Sequence, residues 1–102
     1  MDEELFWTQA EAISLCRILE PIATNHGFHV ALAGGCLHQV GRRPDLDVVL
    51  YRHEGSDNYD VKGCLRGFQQ IGVSGEMEGT WYFRAQFNAK KIEFMFMERV
   101  RE

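Results

Sequence analysis

The chain has 102 residues, of which 45% are hydrophobic, 25% charged and 12% aromatic, and its formal net charge is −4. These are ordinary globular values that exclude a disordered chain, and the length suits one core, burying roughly 65% of the surface an unfolded chain exposes. The acidic balance excludes a surface that coats nucleic acid generally, since that requires a basic face.

The sequence is read as one domain over residues 1–102. Its acidic start, Met1-Asp2-Glu3-Glu4-Leu5-Phe6, does not fit a signal peptide. Its apolar runs fall far short of the ~20 residues that cross a bilayer. The three cysteines, Cys16, Cys36 and Cys64, lie far apart and form no CxxC pair, so neither a zinc site nor a disulfide framework is expected. Reduced thiols in a cytoplasm fit this pattern.

The first predicted element is an amphipathic helix over about Glu3–His26, with Leu5, Phe6, Ile13, Cys16, Leu19 and Ala23 on the inward stripe. Pro21 is expected to kink or shorten its last turn, and Asn25-His26-Gly27 to stop it. Phe28 to Ala33 is a short strand ended by Gly34-Gly35. Cys36 to Val40 fits a helical turn or two, and Gly41 to Pro44 a loop. Asp45 to Tyr51 is a second strand, whose Leu46, Val48, Val49 and Leu50 read as covered on both faces.

After a polar loop from His53 to Asn58, Ser56 or Asp57 is expected to cap a helix running to about Ile71, with Tyr59, Val61, Cys64, Leu65 and Phe68 inward. Gly63 and Gly67 weaken that helix by ~1 kcal/mol each relative to Ala. Gly72 to Gly79 reads as a loop. Thr80 to Phe87 and Lys91 to Met97 are β-rich runs joined at Asn88-Ala89-Lys90, a hairpin. The order implies an α/β or α+β fold, a small mixed sheet of about four strands with helices packed on it. Thr80 to Phe87 reads as a possible sheet edge on which a homodimer could form.

The stretch from Leu32 to Arg52, LAGGCLHQVGRRPDLDVVLYR, concentrates the chemistry. Strand side chains alternate, so Asp45 and Asp47 point the same way, about 6.6 Å apart along the backbone. Two carboxylates brought to ~4 Å repel by roughly 4 kcal/mol at an effective dielectric near 20, a penalty that a divalent cation removes. Magnesium takes one or two carboxylates and leaves the rest of its shell to water and phosphates. Gly34 and Gly35, lacking Cβ, let the backbone pass close to a bulky anion. Arg42 and Arg43 could clamp a phosphate. A third carboxylate, usual in two-metal sites, is offered by Glu93, which faces away from Ile92, Phe94 and Phe96.

Each feature also has a plain reading. Gly34-Gly35 alone is a turn, and Asp45 and Asp47 alone an acidic strand start at solvent. Arg42 and Arg43 alone are a solvated loop, and Glu93 alone could pair with Lys91 or Arg84.

Together, Gly34-Gly35, a short helix, Asp45-Leu46-Asp47 and then Glu93 resemble the nucleotidyltransferase fold superfamily, which includes DNA polymerase beta and small bacterial minimal nucleotidyltransferases. Leu37-His38-Gln39-Val40-Gly41-Arg42-Arg43 is also similar to a run in some small bacterial members. The resemblance implies that Asp45, Asp47 and Glu93 bind Mg²⁺ (or Mn²⁺). It further implies that Gly34, Gly35 and the start of the following helix hold the phosphates of a nucleoside triphosphate such as ATP, with Arg42 and Arg43, which could instead pair with Asp45, as further candidates.

Three functions stay open. The first is transfer of a nucleoside monophosphate to an acceptor, protein or RNA. The second is an inactive binding module of the same fold, antitoxin-like or inhibitory toward a protein partner, since the sequence carries no counterpart of the helical domain with which larger relatives grip base and acceptor. The third is a metal-dependent nuclease.

Overall fold

The computed structural model describes residues 5–38, 41–53, 59–80 and 82–97. The readings that placed a helix start at Glu3, a helix end at Val40, caps at Ser56 or Asp57 and a strand residue at Trp81 lie outside them. The elements are β1 (Trp7–Thr8), α1 (Gln9–Thr24), β2 (Phe28–Ala33), α2 (Gly34–His38), β3 (Arg42–Arg43), β4 (Asp45–Arg52), α3 (Val61–Gln70), β5 (Ser74–Glu78), β6 (Tyr82–Phe87) and β7 (Lys90–Phe96). The architecture is the expected mixed one, with five strands in the main sheet rather than four, ordered β2-β4-β7-β6-β5. Among the described residues, only β4 and β7 pair in parallel. No helix among the described residues is long and apolar enough to cross a membrane.

α1 begins where its capping box dictates. Thr8 Oγ1 accepts the Glu11 N–H at 3.1 Å, and Glu11 Oε1 accepts the Thr8 N–H at 3.0 Å, satisfying two otherwise orphaned donors. Trp7 and Thr8 are therefore strand, not helix, and the inward stripe is Ala12, Leu15, Leu19 and Ala23. Leu5 and Ile13, expected inward, are exposed. The small side chains of Ala12 and Ala23 let the helix approach the sheet. The helix continues three residues past Pro21 to Thr24.

The even-numbered β4 residues Leu46, Val48 and Leu50 join Ile92, Phe94 and Phe96 of β7, Phe28 and Phe83 in one core with α1 and with Cys64 and Phe68 of α3. The odd face of β4 is only half-covered, so Val49 is not buried as the continuous apolar run implied. α3 is capped by Asp60, whose Oδ1 accepts the Gly63 N–H at 2.9 Å. A Cβ at Gly67 would stand 2.5 Å from Ile22 Cγ2, so this glycine, costly to the helix alone, is what lets α3 lie against α1.

Two predicted loops are strands. Arg42–Arg43 pairs antiparallel with Trp7–Thr8, and Ser74–Glu78 forms the sheet edge beside β6. The run Thr80 to Phe87 is accordingly not an edge: β6 lies between β7 and β5, and the edge-strand route to a dimer through it is closed.

The β6–β7 turn holds Asn88 at φ 51° and Ala89 at φ 64°. Asn is at home in a left-handed turn, whereas Ala is strained there. Ala89→Gly is expected to stabilise the protein by roughly 0.5–1 kcal/mol, net of glycine's greater freedom when unfolded, and so to raise Tm by a few degrees in thermal unfolding.

Candidate functional site

The odd-numbered side chains of β4 and β7 share the sheet face opposite the core. The parallel register sets Asp47 beside Glu93 and Asp45 beside Lys91. Adjacent strands lie about 4.8 Å apart, so Glu93, distant in sequence, meets Asp45 and Asp47 on one face. Asp47 is the hub. Burial first, then Glu93, then Asp45 push its carboxyl above the usual carboxylate range. Among the described residues no ion pair relieves this. Arg84 stands opposite Glu93 in the β6–β7 register, yet its Nε pairs with Glu78 at 3.0 Å, so the plain reading of a Glu93–Arg84 bridge is not realised.

The glycine pair closes on these acids. Gly34, the first residue of α2, takes φ 65°, and a Cβ there would lie 2.1 Å from Asp47 Oδ2. Only glycine admits this approach of backbone to carboxylate. A Cβ at Gly35 would lie 3.1 Å from Arg43 Nε, which is buried without a hydrogen-bond partner. Arg43 thus belongs with the glycine pair. Arg42 alternates to the other face of β3 and is exposed. Cys36 Sγ lies 3.7 Å from the Asp45 carbonyl oxygen, and burial, then Asp47, push its thiol up, so it is no nucleophile here.

A brace absent from the sequence reading holds these parts together. Trp7, fully buried, donates its indole N–H to the Lys91 carbonyl at 2.8 Å, and Gln9 Nε2 donates to the Leu37 carbonyl at 3.2 Å. Lys90 lies over the Trp7 ring at 5.2 Å and pairs with Glu11. β1 therefore joins β3 and the start of β7, and the first residue of α1 ties in the end of α2. The Thr8-x-x-Glu11 signature could have revealed the helix start, and hence that Trp7 precedes it.

The donor set, carboxylate oxygens with half-exposed neighbours, suits a hard cation such as Mg²⁺. The acids do not close on one point: among the described residues, no group of three His, Cys, Asp or Glu side chains is placed to hold an ion by itself. A cation that takes one or two carboxylates and completes its shell from water and phosphate fits such an open arrangement.

No protein-family model and no curated protein matches the chain in sequence. In structure it is similar to Leishmania infantum polymerase beta, both in a ternary P/T complex and in a ternary gap complex. The TM-scores are 0.70 and 0.72 at 10% identity, over 92% of this chain and 44% and 39% of those chains. It is likewise similar to a cytoplasmic RNA terminal U-transferase, with TM-score 0.67 at 10% identity over 93% of this chain and 31% of that one. The chain spans less than half the length of each. At these TM-scores over more than nine-tenths of its length, this chain has the nucleotidyltransferase fold.

Proposed function

We propose that the protein is a magnesium-dependent nucleotidyltransferase domain that moves a nucleoside monophosphate from a triphosphate such as ATP to an acceptor hydroxyl of RNA or protein, in the cytoplasm. One observation carries this reading: Asp47, with its carboxyl pushed up by burial, Glu93 and Asp45, faces a glycine whose backbone it nearly touches. Asp45, Asp47 and Glu93 would hold Mg²⁺ or Mn²⁺. When bound, such cations neutralise phosphate charge and lower the pKa of an attacking hydroxyl.

The remaining work falls to the chain's own groups. The Gly34-Gly35 backbone offers N–H donors without side chains to obstruct a phosphate, and Arg43 stands beside it with a buried donor to spare. The five-residue α2 is too short for its dipole to matter, so the glycine amides themselves are the phosphate contacts. Asp47, paired in register with Glu93, orients the acceptor hydroxyl for in-line attack. The Trp7 brace keeps the β7 carboxylate and the glycine turn in fixed relation.

The same fold used as a non-catalytic nucleotide-binding or inhibitory partner is the second reading. It is favoured by the absence, among the described residues, of a three-ligand metal group. Labelling, not melting, separates the two. Nucleotide at 100 times its Kd adds about 2.7 kcal/mol of stability, so Tm should rise with triphosphate plus Mg²⁺ under both readings. Labelled triphosphate with Mg²⁺ and cell extract should yield a labelled acceptor under the first reading only. Absence of product with every nucleotide would count against transfer.

A further inference from the structure

The end of the sheet opposite the acids carries a second polar cluster that the proposed reaction does not use. Glu20 of α1, His29 of β2 and His53, just beyond β4, form a chain. Glu20 Oε1 lies 2.5 Å from His29 Nδ1, while Glu20 Oε2 accepts the Val30 N–H at 2.9 Å, so the carboxylate is held at both oxygens. Nε2 of His29 lies 2.7 Å from Nδ1 of His53, with ring centroids 4.9 Å apart. The backbone N–H of His53 donates to the Gly27 carbonyl at 2.9 Å, and Tyr51 packs beside His29 at 5.3 Å between centroids. Along β4, His29 stands level with Tyr51, four positions from Asp47, and His53 lies six positions away, so the cluster is about 13–20 Å from Asp47.

Glu20 decides the chemistry. It accepts the Nδ1–H of His29, which leaves the Nε2 lone pair directed at His53. A carboxylate on the far nitrogen is the outer-shell arrangement that fixes the tautomer of a metal-bound histidine and raises its basicity. Two imidazole nitrogens joined by a hydrogen bond form a two-histidine metal site with a proton in the ion's place. Metal–nitrogen bonds of about 2.0–2.1 Å at a tetrahedral angle require the nitrogens roughly 3.3 Å apart, so the pair must open by about 0.6 Å. His53 is exposed and free to make that adjustment. It also borders an open pocket of 440 Å³ shared with His26, Tyr59 and Asp60. No third described donor converges on the pair, so coordination beyond the two histidines is open to water. Imidazole donors select Zn²⁺, Cu²⁺ or Ni²⁺ over oxygen-seeking Mg²⁺.

We propose that His29 Nε2 and His53 Nδ1, positioned by Glu20, bind a divalent transition-metal ion independently of the acidic face. Calorimetric titration of the full chain with Zn²⁺ should show one equivalent bound, unchanged by excess Mg²⁺ and by Asp47→Asn. His53→Gln and His29→Gln should each weaken binding about tenfold or more, and Glu20→Gln by roughly 10–100-fold. Co²⁺ should give visible bands without the near-ultraviolet thiolate band that Cys16, Cys36 or Cys64 would produce. No binding by the wild-type protein would overturn the proposal and leave the pair as a plain hydrogen bond. Undiminished binding in histidine variants with native circular dichroism, or a thiolate band, would overturn it equally.

Discussion

Asp47→Asn is expected to abolish nucleotidyl transfer while leaving the protein as stable as wild type or more so. The activity loss follows from removing the central carboxylate: charge stabilisation worth about 4 kcal/mol in the transition state corresponds to roughly 10³-fold in kcat. The stability expectation runs the opposite way. Burial, Glu93 and Asp45 raise the Asp47 pKa in the folded protein above its unfolded value. The native state therefore holds this proton more tightly than the unfolded chain does. That contribution is present at low pH, and it is lost as pH rises through the raised pKa. Above that pKa the ionised carboxylate opposes folding, and the uncharged, near-isosteric Asn does not. The Tm advantage of Asp47→Asn should thus appear near neutral pH and vanish as pH falls toward the ordinary carboxylate range. Mn²⁺ or Mg²⁺ should raise the wild-type Tm and not that of the variant. A variant less stable than wild type at neutral pH would mean that Asp47 serves the fold and not the site.

Gly34→Ala is expected to cost both stability and transfer, and the contact with Asp47 is the reason. The positive φ alone costs an alanine about 1–2 kcal/mol. The added Cβ would also meet Asp47 Oδ2 at 2.1 Å, an overlap that forces the carboxylate or the turn to move, and overpacking of this kind typically adds about 1–3 kcal/mol. Gly79 is the internal control, with φ 60° and nothing within 4 Å of its would-be Cβ. Gly79→Ala should therefore lose only the backbone part and keep full activity. In a double-mutant cycle, Asp47→Ala should recover part of the Gly34→Ala loss, with a coupling of about 1 kcal/mol or more in chemical denaturation. Equal costs at Gly34 and Gly79 would show that the close approach is unimportant.

Those parts of the fold with strong local patterns were legible in the sequence. β2 and β4 follow from apolar runs bounded by glycines and Pro44, and the β6–β7 hairpin from two alternating runs around Asn88. Glu93 stood out because it interrupts an otherwise apolar alternation, and Asp45 and Asp47 because they share a parity. What escaped has physical causes. β5 is an edge strand of Ser, Gly and Glu with only Met77 half-buried, so it has no apolar alternation to detect. β1 and β3 are two residues each and exist because Trp7 is anchored to Lys91, a contact spanning most of the chain. In α1, Leu19 and Ala23 face inward as their spacing implies, while Ala12 and Leu15 take the buried places expected of Leu5 and Ile13, because the helix begins only after the Thr8 cap. The pairing of Asp47 with Glu93 depends on a parallel register set by the crossover through α3 and β5–β6, which no local pattern encodes. The differing exposure of Arg42 and Arg43 follows from β3, since a strand sends neighbouring side chains to opposite faces where a loop need not.

The proposed transfer requires carboxylates and glycine backbone to act on one ligand from two sides. A crystal structure with Mn²⁺ and a non-hydrolysable nucleoside triphosphate tests this most directly, since the anomalous signal locates the metal without assumption. Manganese is expected on the carboxylates of Asp45 and Asp47, within reach of Glu93, with phosphate oxygens on the Gly34 and Gly35 amides. Manganese bound elsewhere, or a triphosphate seated away from the glycine turn, would contradict it.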